Sequence, residues 1–235
     1  MKTTTKSALV PVMTAALALA FCVSPAGAVQ PCEDPWFQPV SQGPSQCAPA
    51  CFYMIFNHCG AHQVFQECDL SEHPELMPAY GYKITGDTAI CRWINNGRTQ
   101  GTTWKQLKRA ADGLHALGSS QAYFSSELES DTTSYNSPAA EKEREQRLDY
   151  IEREYLDQNR PVIIHMRRVW CLPGHYLVLT GYDTRSDTVY YADPSTGSLG
   201  KISRESFIRE KWYASPVYWS GYPRARWDGE WMGFY

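Results

Sequence analysis

At Arg160-Pro161 the chain changes from helical to strand periodicity, and that change restricts it to few folds. Beyond it come Val162-Ile163-Ile164-His165-Met166, then His175 to Tyr182 (HYLVLTGY), then Thr188 to Ala192 (TVYYA). These runs are rich in β-branched and aromatic residues and are separated by turn residues, so each predicts a strand. Ahead of the change, apolar residues recur at helical spacing. Thr103 to Leu117 carries Trp104, Leu107, Ala110, Ala111 and Leu114, and Ala140 to Gln158 carries Leu148, Ile151 and Tyr155. Ala48 to Asn57 (APACFYMIFN) is a third helix, densely apolar, with Pro49 suited to its first turn and Gly60 to its end. Helices first and strands later predict an α+β domain. Residues 118–140, rich in Ser, Thr and acids, read as a long loop. The tail from Trp212 to Tyr235 carries nine aromatics, expected to cover the sheet or to present a binding surface. No internal repeat or second-domain boundary is visible.

The N-terminus fixes the expected compartment. Lys2 and Lys6 precede an apolar stretch from Ala8 to Val23, and Ala26-Gly27-Ala28 supplies small residues for cleavage. Residues 1–28 therefore read as a signal peptide, too short in its apolar part to span a bilayer. The expected destination is the periplasm or the medium. Cleavage leaves residues 29–235, a chain of 207 residues, long enough for one sizeable domain. Loss of two lysines moves the formal charge from −3 to −5, which gives no reason to expect a nucleic-acid partner.

Export also makes the cysteines informative. Seven remain after cleavage: Cys32, Cys47, Cys51, Cys59, Cys68, Cys91 and Cys171. Exported proteins usually pair their cysteines, so an odd count implies a free thiol. Cys47 stands at the start of the Ala48–Asn57 helix, where the helix dipole favours a thiolate. Cys51 competes one turn further in, where it would be less exposed. His175 opens the strongest strand after Pro173-Gly174, and Gly174 allows close approach of another group. His165, also on a strand, is its main rival. Asp193 closes the next strand, and a hairpin turning at Arg185-Ser186-Asp187 brings it to the same end as His175. There it can hydrogen-bond the imidazole and fix its tautomer. Acyl transfer also needs oxyanion donors, and Gln38, Gln42 and Gln46 all precede Cys47. Gln42 is the preferred candidate.

The segment Gln42…Cys47-Ala48-Pro49-Ala50-Cys51 resembles the nucleophile segment of papain-like cysteine peptidases. The branch is that of bacteriocin-leader peptidases and papain-like bacterial effector proteases. Arg160-Pro161-Val162-Ile163-Ile164, Gly174-His175 to Asp183, and Val189 to Pro194 are similar to its His and Asp segments. The resemblance implies a nucleophile helix packed against a C-terminal antiparallel sheet. It implies Cys47 as nucleophile, His175 as base, Asp193 as its orienter and an upstream Gln as oxyanion donor. It also favours Cys47 over Cys51. Ala48 stands where Gly or Trp is usual, and Gln42 precedes the Cys by five positions rather than six.

The expectation is a secreted peptidase or amidase working through a thioester, with no cofactor and a peptide or protein substrate. With 18 residues between cleavage site and Cys47, a long inhibitory pro-segment has no room. Two alternatives use the same chain differently. One is an acyltransferase or crosslinking enzyme on the same triad; the other is a disulfide-stabilised, inactive binding module. With Cys47 free, the other six cysteines can form three bridges in 15 ways. A zinc site from His58, Cys59, His62 and Cys68 fits no standard spacing.

Overall fold

The computed structural model describes residues 39–43, 45–58, 83–84, 89–95, 101–117, 126–129, 137–167, 174–214 and 224–234. The expected signal peptide, Gln38, Cys32, Cys59, His62, Cys68 and Cys171 lie outside these residues.

The helical half begins with α1 (Cys47–His58), followed by α2 (Ala89–Asn95) and α3 (Trp104–Leu117). Short strands β1 (Ser41–Gln42) and β2 (Lys83–Ile84) pair in parallel beside them. A longer helix, α4 (Pro138–Glu154), starts where the sequence dictates. Ser137 is its N-cap, with its hydroxyl accepting from Ala140 N, and Pro138 follows at the first helical position. Ala140, Arg144, Leu148 and Ile151 form its buried stripe. A 3-10 turn at Leu156–Gln158 follows, and Asn159, at φ 58°, turns the chain into the sheet.

The main sheet contains β3 (Ser126–Glu129), β4 (Val162–Arg167), β5 (His175–Asp183), β6 (Thr188–Asp193), β7 (Ser198–Ser203) and β8 (Arg226–Phe234). Its order is β3-β8-β4-β5-β6-β7 and every neighbouring pair is antiparallel. A short helix, α5 (Arg204–Arg209), follows β7. The expected α+β organisation is found, with α1 lying on β5.

Both faces of the sheet are covered, which explains why its central strands read as continuous apolar runs rather than alternating ones. Ile163, Tyr176, Val178, Met232 and Phe234 face α1, α2 and α3. Val162, Ile164, Leu177, Leu179, Trp227 and Trp231 face the layer of α4 and α5. Phe52 of α1 meets Phe234 edge to face, with ring centroids 5.6 Å apart.

Three expectations need correction. The tail does not lie over the sheet: its residues 226–234 are β8, a buried interior strand between β3 and β4. Trp227 and Trp231 point to one layer and Met232 and Phe234 to the other, a strand alternation masked by the Asp228, Gly229 and Glu230 between them. The expected loop at 118–140 contains β3, which pairs with β8. Cys51, counted among the six bridge-forming cysteines, is instead a free thiol, fully buried in α1.

Between Ile164 and Met166 the ladder with β8 is interrupted. Ile164 pairs with Trp231 and Met166 with Trp227, so Asp228-Gly229-Glu230 stands opposite His165 alone. Gly229 adopts φ 93°, a conformation that favours glycine. The bulge carries two acids to one histidine.

Candidate active site

The N-terminus of α1 is built from Ser45 onward. Ser45 sits at φ 60°, turning the chain sharply from β1 toward the helix. The Gln46 carbonyl accepts from Ala50 N at 3.1 Å, which makes Gln46 the capping residue and Cys47 the first residue of the helix. Pro49, lacking an N–H, costs nothing in that first turn. Cys47 is half-buried and its thiol is free. It hydrogen-bonds the His175 side chain and receives the backbone N–H of Tyr176.

His175 is buried at the start of β5. Its Nε2–H donates to Asp193 Oδ1 at 2.9 Å, which leaves Nδ1 for Cys47. Asp193 ends β6, on the strand next to His175 as the hairpin requires. Its oxygens are fully engaged: Oδ1 also accepts from Ser195 N at 2.7 Å, and Oδ2 accepts from Tyr213 Oη–H at 3.0 Å. Ser195 Oγ lies 3.2 Å from His175 Nε2 and 3.3 Å from Tyr213 Oη. Tyr213 stacks on the imidazole, centroids 4.9 Å apart and planes 8° from parallel. Neither Ser195 nor Tyr213 stood out in the sequence. Ser195 read as a turn residue and Tyr213 as one aromatic among nine; position just past Asp193-Pro194 was the only signal for Ser195.

Electrostatics match the geometry. Burial raises the Cys47 thiol, but the hydrogen bond and charge of His175, with the Tyr176 N–H, bring it below its ordinary value. Burial lowers His175, yet Asp193 and Cys47 outweigh it and raise the imidazole to about 9. Asp193 is pushed up by burial and brought below the usual carboxylate range by His175, Ser195 N and Tyr213. Each shift favours a thiolate–imidazolium–carboxylate array. Cys51 differs: burial, then the neighbouring charges of Cys47 and Asp193, hold its thiol well above the ordinary value. The two thiols lie one turn apart on α1 and have opposite character.

The candidate oxyanion donors are placed from β1 and the cap. Gln42 N donates to Pro194 O at 2.8 Å, which ties β1 to the Asp193 turn. The Gln42 Oε1 is buried with no hydrogen-bond partner among the described residues. Gln46 is buried directly before Cys47.

His165 occupies a separate cluster. Its Nδ1–H donates to Asp228 Oδ2 at 2.8 Å and lies 3.1 Å from a Glu230 oxygen. Trp104 Nε1–H donates to Glu230 Oε2 at 2.8 Å, and Arg167 lies 3.3 Å from Asp228 and 3.6 Å from Glu230. Burial lowers the His165 imidazole, but the two carboxylates raise it to about 9. His165, Asp228 and Glu230 have the donor set to hold a metal ion, with ligand atoms within 4.8 Å of one another. The same atoms are engaged in the ion-pair network with Arg167. A Cβ on Gly174 would lie 1.9 Å from His165 Nε2. The group that Gly174 admits is therefore the imidazole of His165, next to the residue preceding His175.

A buried helix on an antiparallel sheet, with Cys47, His175 and Asp193 near its N-terminus, is the papain-like class of fold. The model of the Peptidase C39-like family matches residues 35–217, and the chain belongs to that family. The family indicates cysteine peptidase activity in general. No curated protein matches the chain.

Proposed function

We propose that the protein is an exported cysteine hydrolase that cleaves a peptide or amide bond through a thioester on Cys47. The observation that carries this reading is His175, whose Nε2 meets Asp193 Oδ1 at 2.9 Å and whose ring acts on the Cys47 thiol, leaving Nδ1 as the nitrogen for Cys47. The thiolate attacks the carbonyl carbon. The Cys47 N–H at the helix end and the amide of Gln42 stabilise the oxyanion. His175 then delivers its Nδ1 proton to the leaving amine as the C–N bond breaks, leaving an acyl thioester. Water attacks the thioester while His175 takes its proton, releasing the acid and regenerating the thiolate. Asp193 holds the tautomer and offsets the imidazolium charge. Nucleophile, base and oxyanion donors all come from the chain itself.

The free Cys47 thiol supports an enzyme over a disulfide-built binding module. Transfer of the acyl group to an amine would use the same triad, and product analysis with added amine acceptors separates it from hydrolysis. Export follows from the pattern of residues 1–28, and sequencing the N-terminus of the secreted protein tests it. Among the described residues no helix is long and apolar enough to cross a membrane. The central test is labelling with an electrophilic peptidyl probe, which Cys47→Ala must abolish. Full-rate labelling of that variant would assign the nucleophile elsewhere.

A further inference from the structure

A cavity of about 350 Å³ opens beside Asp193, and none of the steps above uses it. Its volume lies at the small end of the range for ligand sites, about 300–1,000 Å³. Tyr191, Trp212 and Tyr213 wall it and touch in series, with centroids 5.0 Å apart for the first pair and 5.8 Å for the second. Thr196, Ser198 and Leu199 also line it. Leu199 is 48% exposed, the one exposed large apolar side chain among the described residues.

Most of the polar groups that reach the lining are already engaged. Asp193 reaches the cavity, but both its oxygens are committed to His175, Ser195 and Tyr213. The hydroxyls of Thr196 and Ser198 bond each other at 2.6 Å. Trp212 Nε1–H is a donor with no partner among the described residues. The ring faces of Tyr191 and Trp212 and the aliphatic edge of Leu199 suit a flat aromatic group.

Position identifies which part of a substrate reaches the cavity. His175 must protonate the leaving amine, so the leaving segment runs over the His175 side of the thiolate. Tyr213 stacks on His175 and also walls the cavity, so the cavity adjoins the histidine through that ring. We propose that this cavity binds an aromatic side chain of the substrate on the C-terminal side of the scissile bond. This rests on the hydrolase reading of Cys47 and adds a substrate preference to it.

The test uses tripeptide amides with a free amino terminus, which mimic the leaving product. Each carries one Phe at the first, second or third position, against matched peptides with Asp, Lys or Ala. Binding to the Cys47→Ala protein is read by calorimetry. At least one Phe register should bind about tenfold more tightly than its Asp and Lys counterparts. Leu199→Asp, added on the exposed edge of the cavity, should remove that preference while leaving the thermal melt unchanged. In the protein with Cys47 intact it should also leave the rate of Cys47 alkylation unchanged. If Leu199→Asp disturbs folding, Ser198→Lys places the charge at the same exposed edge. Equal binding of all peptides, or a Phe preference indifferent to both substitutions, would overturn the proposal while probe labelling of Cys47 upholds the hydrolase. Loss of Cys47 labelling in the unmodified protein would instead sink the hydrolase reading itself.

Discussion

Tyr213 lies parallel to the imidazole of His175 while its hydroxyl donates to Asp193 Oδ2 at 3.0 Å. One side chain thus screens the His175–Asp193 bond from water and holds the carboxylate that orients the ring. The two contributions separate by substitution. Tyr213→Phe keeps the stacking and removes a hydrogen bond to a charged group, worth about 1.5–3 kcal/mol. It should lower kcat roughly tenfold with KM little changed. Tyr213→Ala removes both contributions and should cost more. Steady-state kinetics of the pair checks this, and equal losses would mean that the hydroxyl has no role.

The pH profile follows from two shifts of opposite sign. Cys47 is lowered from 9.0, so its alkylation rate should rise with pH earlier than that of an ordinary thiol. His175 is raised from 6.5 to about 9, so the imidazolium and the stability of its pairing are fully present below about 6.5 and lost as pH rises through 9. Hydrolysis should therefore fall on an alkaline limb near 9. Asp193→Asn removes the charge that raises the imidazole, so the limb should move to lower pH and kcat should fall by roughly 10²- to 10⁴-fold. A limb that stays in place in that variant would show that Asp193 does not set the His175 ionisation.

Cys47 and Cys51 invite a direct comparison. Cys51 is fully buried and its thiol is held up by burial, so under native conditions an alkylating reagent should modify Cys47 and spare Cys51. Peptide mapping after a short pulse reads the result. Cys51→Ser should leave the labelling intact, and labelling at Cys51 would reverse the order of reactivity argued from the helix.

Gly174→Ala would set a methyl carbon 1.9 Å from His165 Nε2. The ring is held by Asp228 and Glu230, so it cannot simply swing aside. A destabilisation of about 1–3 kcal/mol is expected, as for overpacking in a core. Shortening the ring in the double variant Gly174→Ala, His165→Ala should relieve the steric part. Thermal melts of the single and double variants measure it, and additive losses would exclude the clash.

How much of this was legible depended on the length scale of the signal. Helices α1, α3 and α4 and strands β4, β5 and β6 were visible because each has an uninterrupted apolar run or apolar residues at helical spacing. Cys47, His175 and Asp193 could be singled out because a helix start and two strand ends mark them. β8 was hidden by Asp228, Gly229 and Glu230, a polar bulge within an otherwise alternating strand, whose partner His165 is 63 residues away. Edge strand β7 (SLGKIS) and β3 (SELE) carry too few apolar residues to register as strands. The roles of Tyr213 and Ser195 are tertiary, since both depend on where Asp193 points.

Deleting residues 226–235 should abolish folding rather than trim a loose tail, because Trp227, Trp231, Met232 and Phe234 are buried in the two layers. Near-ultraviolet circular dichroism of the truncated protein decides the point; retained tertiary signal would return the tail to a covering role.

The place of β8 also sets an order of events. β3 and β4 are made first but do not touch; each waits for a strand synthesised some hundred and some sixty residues later, respectively. Until it arrives, β4 presents an unpaired edge, and half-made chains are the form most exposed to wrong pairing. Contacts this distant along the chain make for slow folding. The sheet that carries His175 and Asp193 is thus completed only when β8 is inserted, and until then Cys47 lies in an unassembled site.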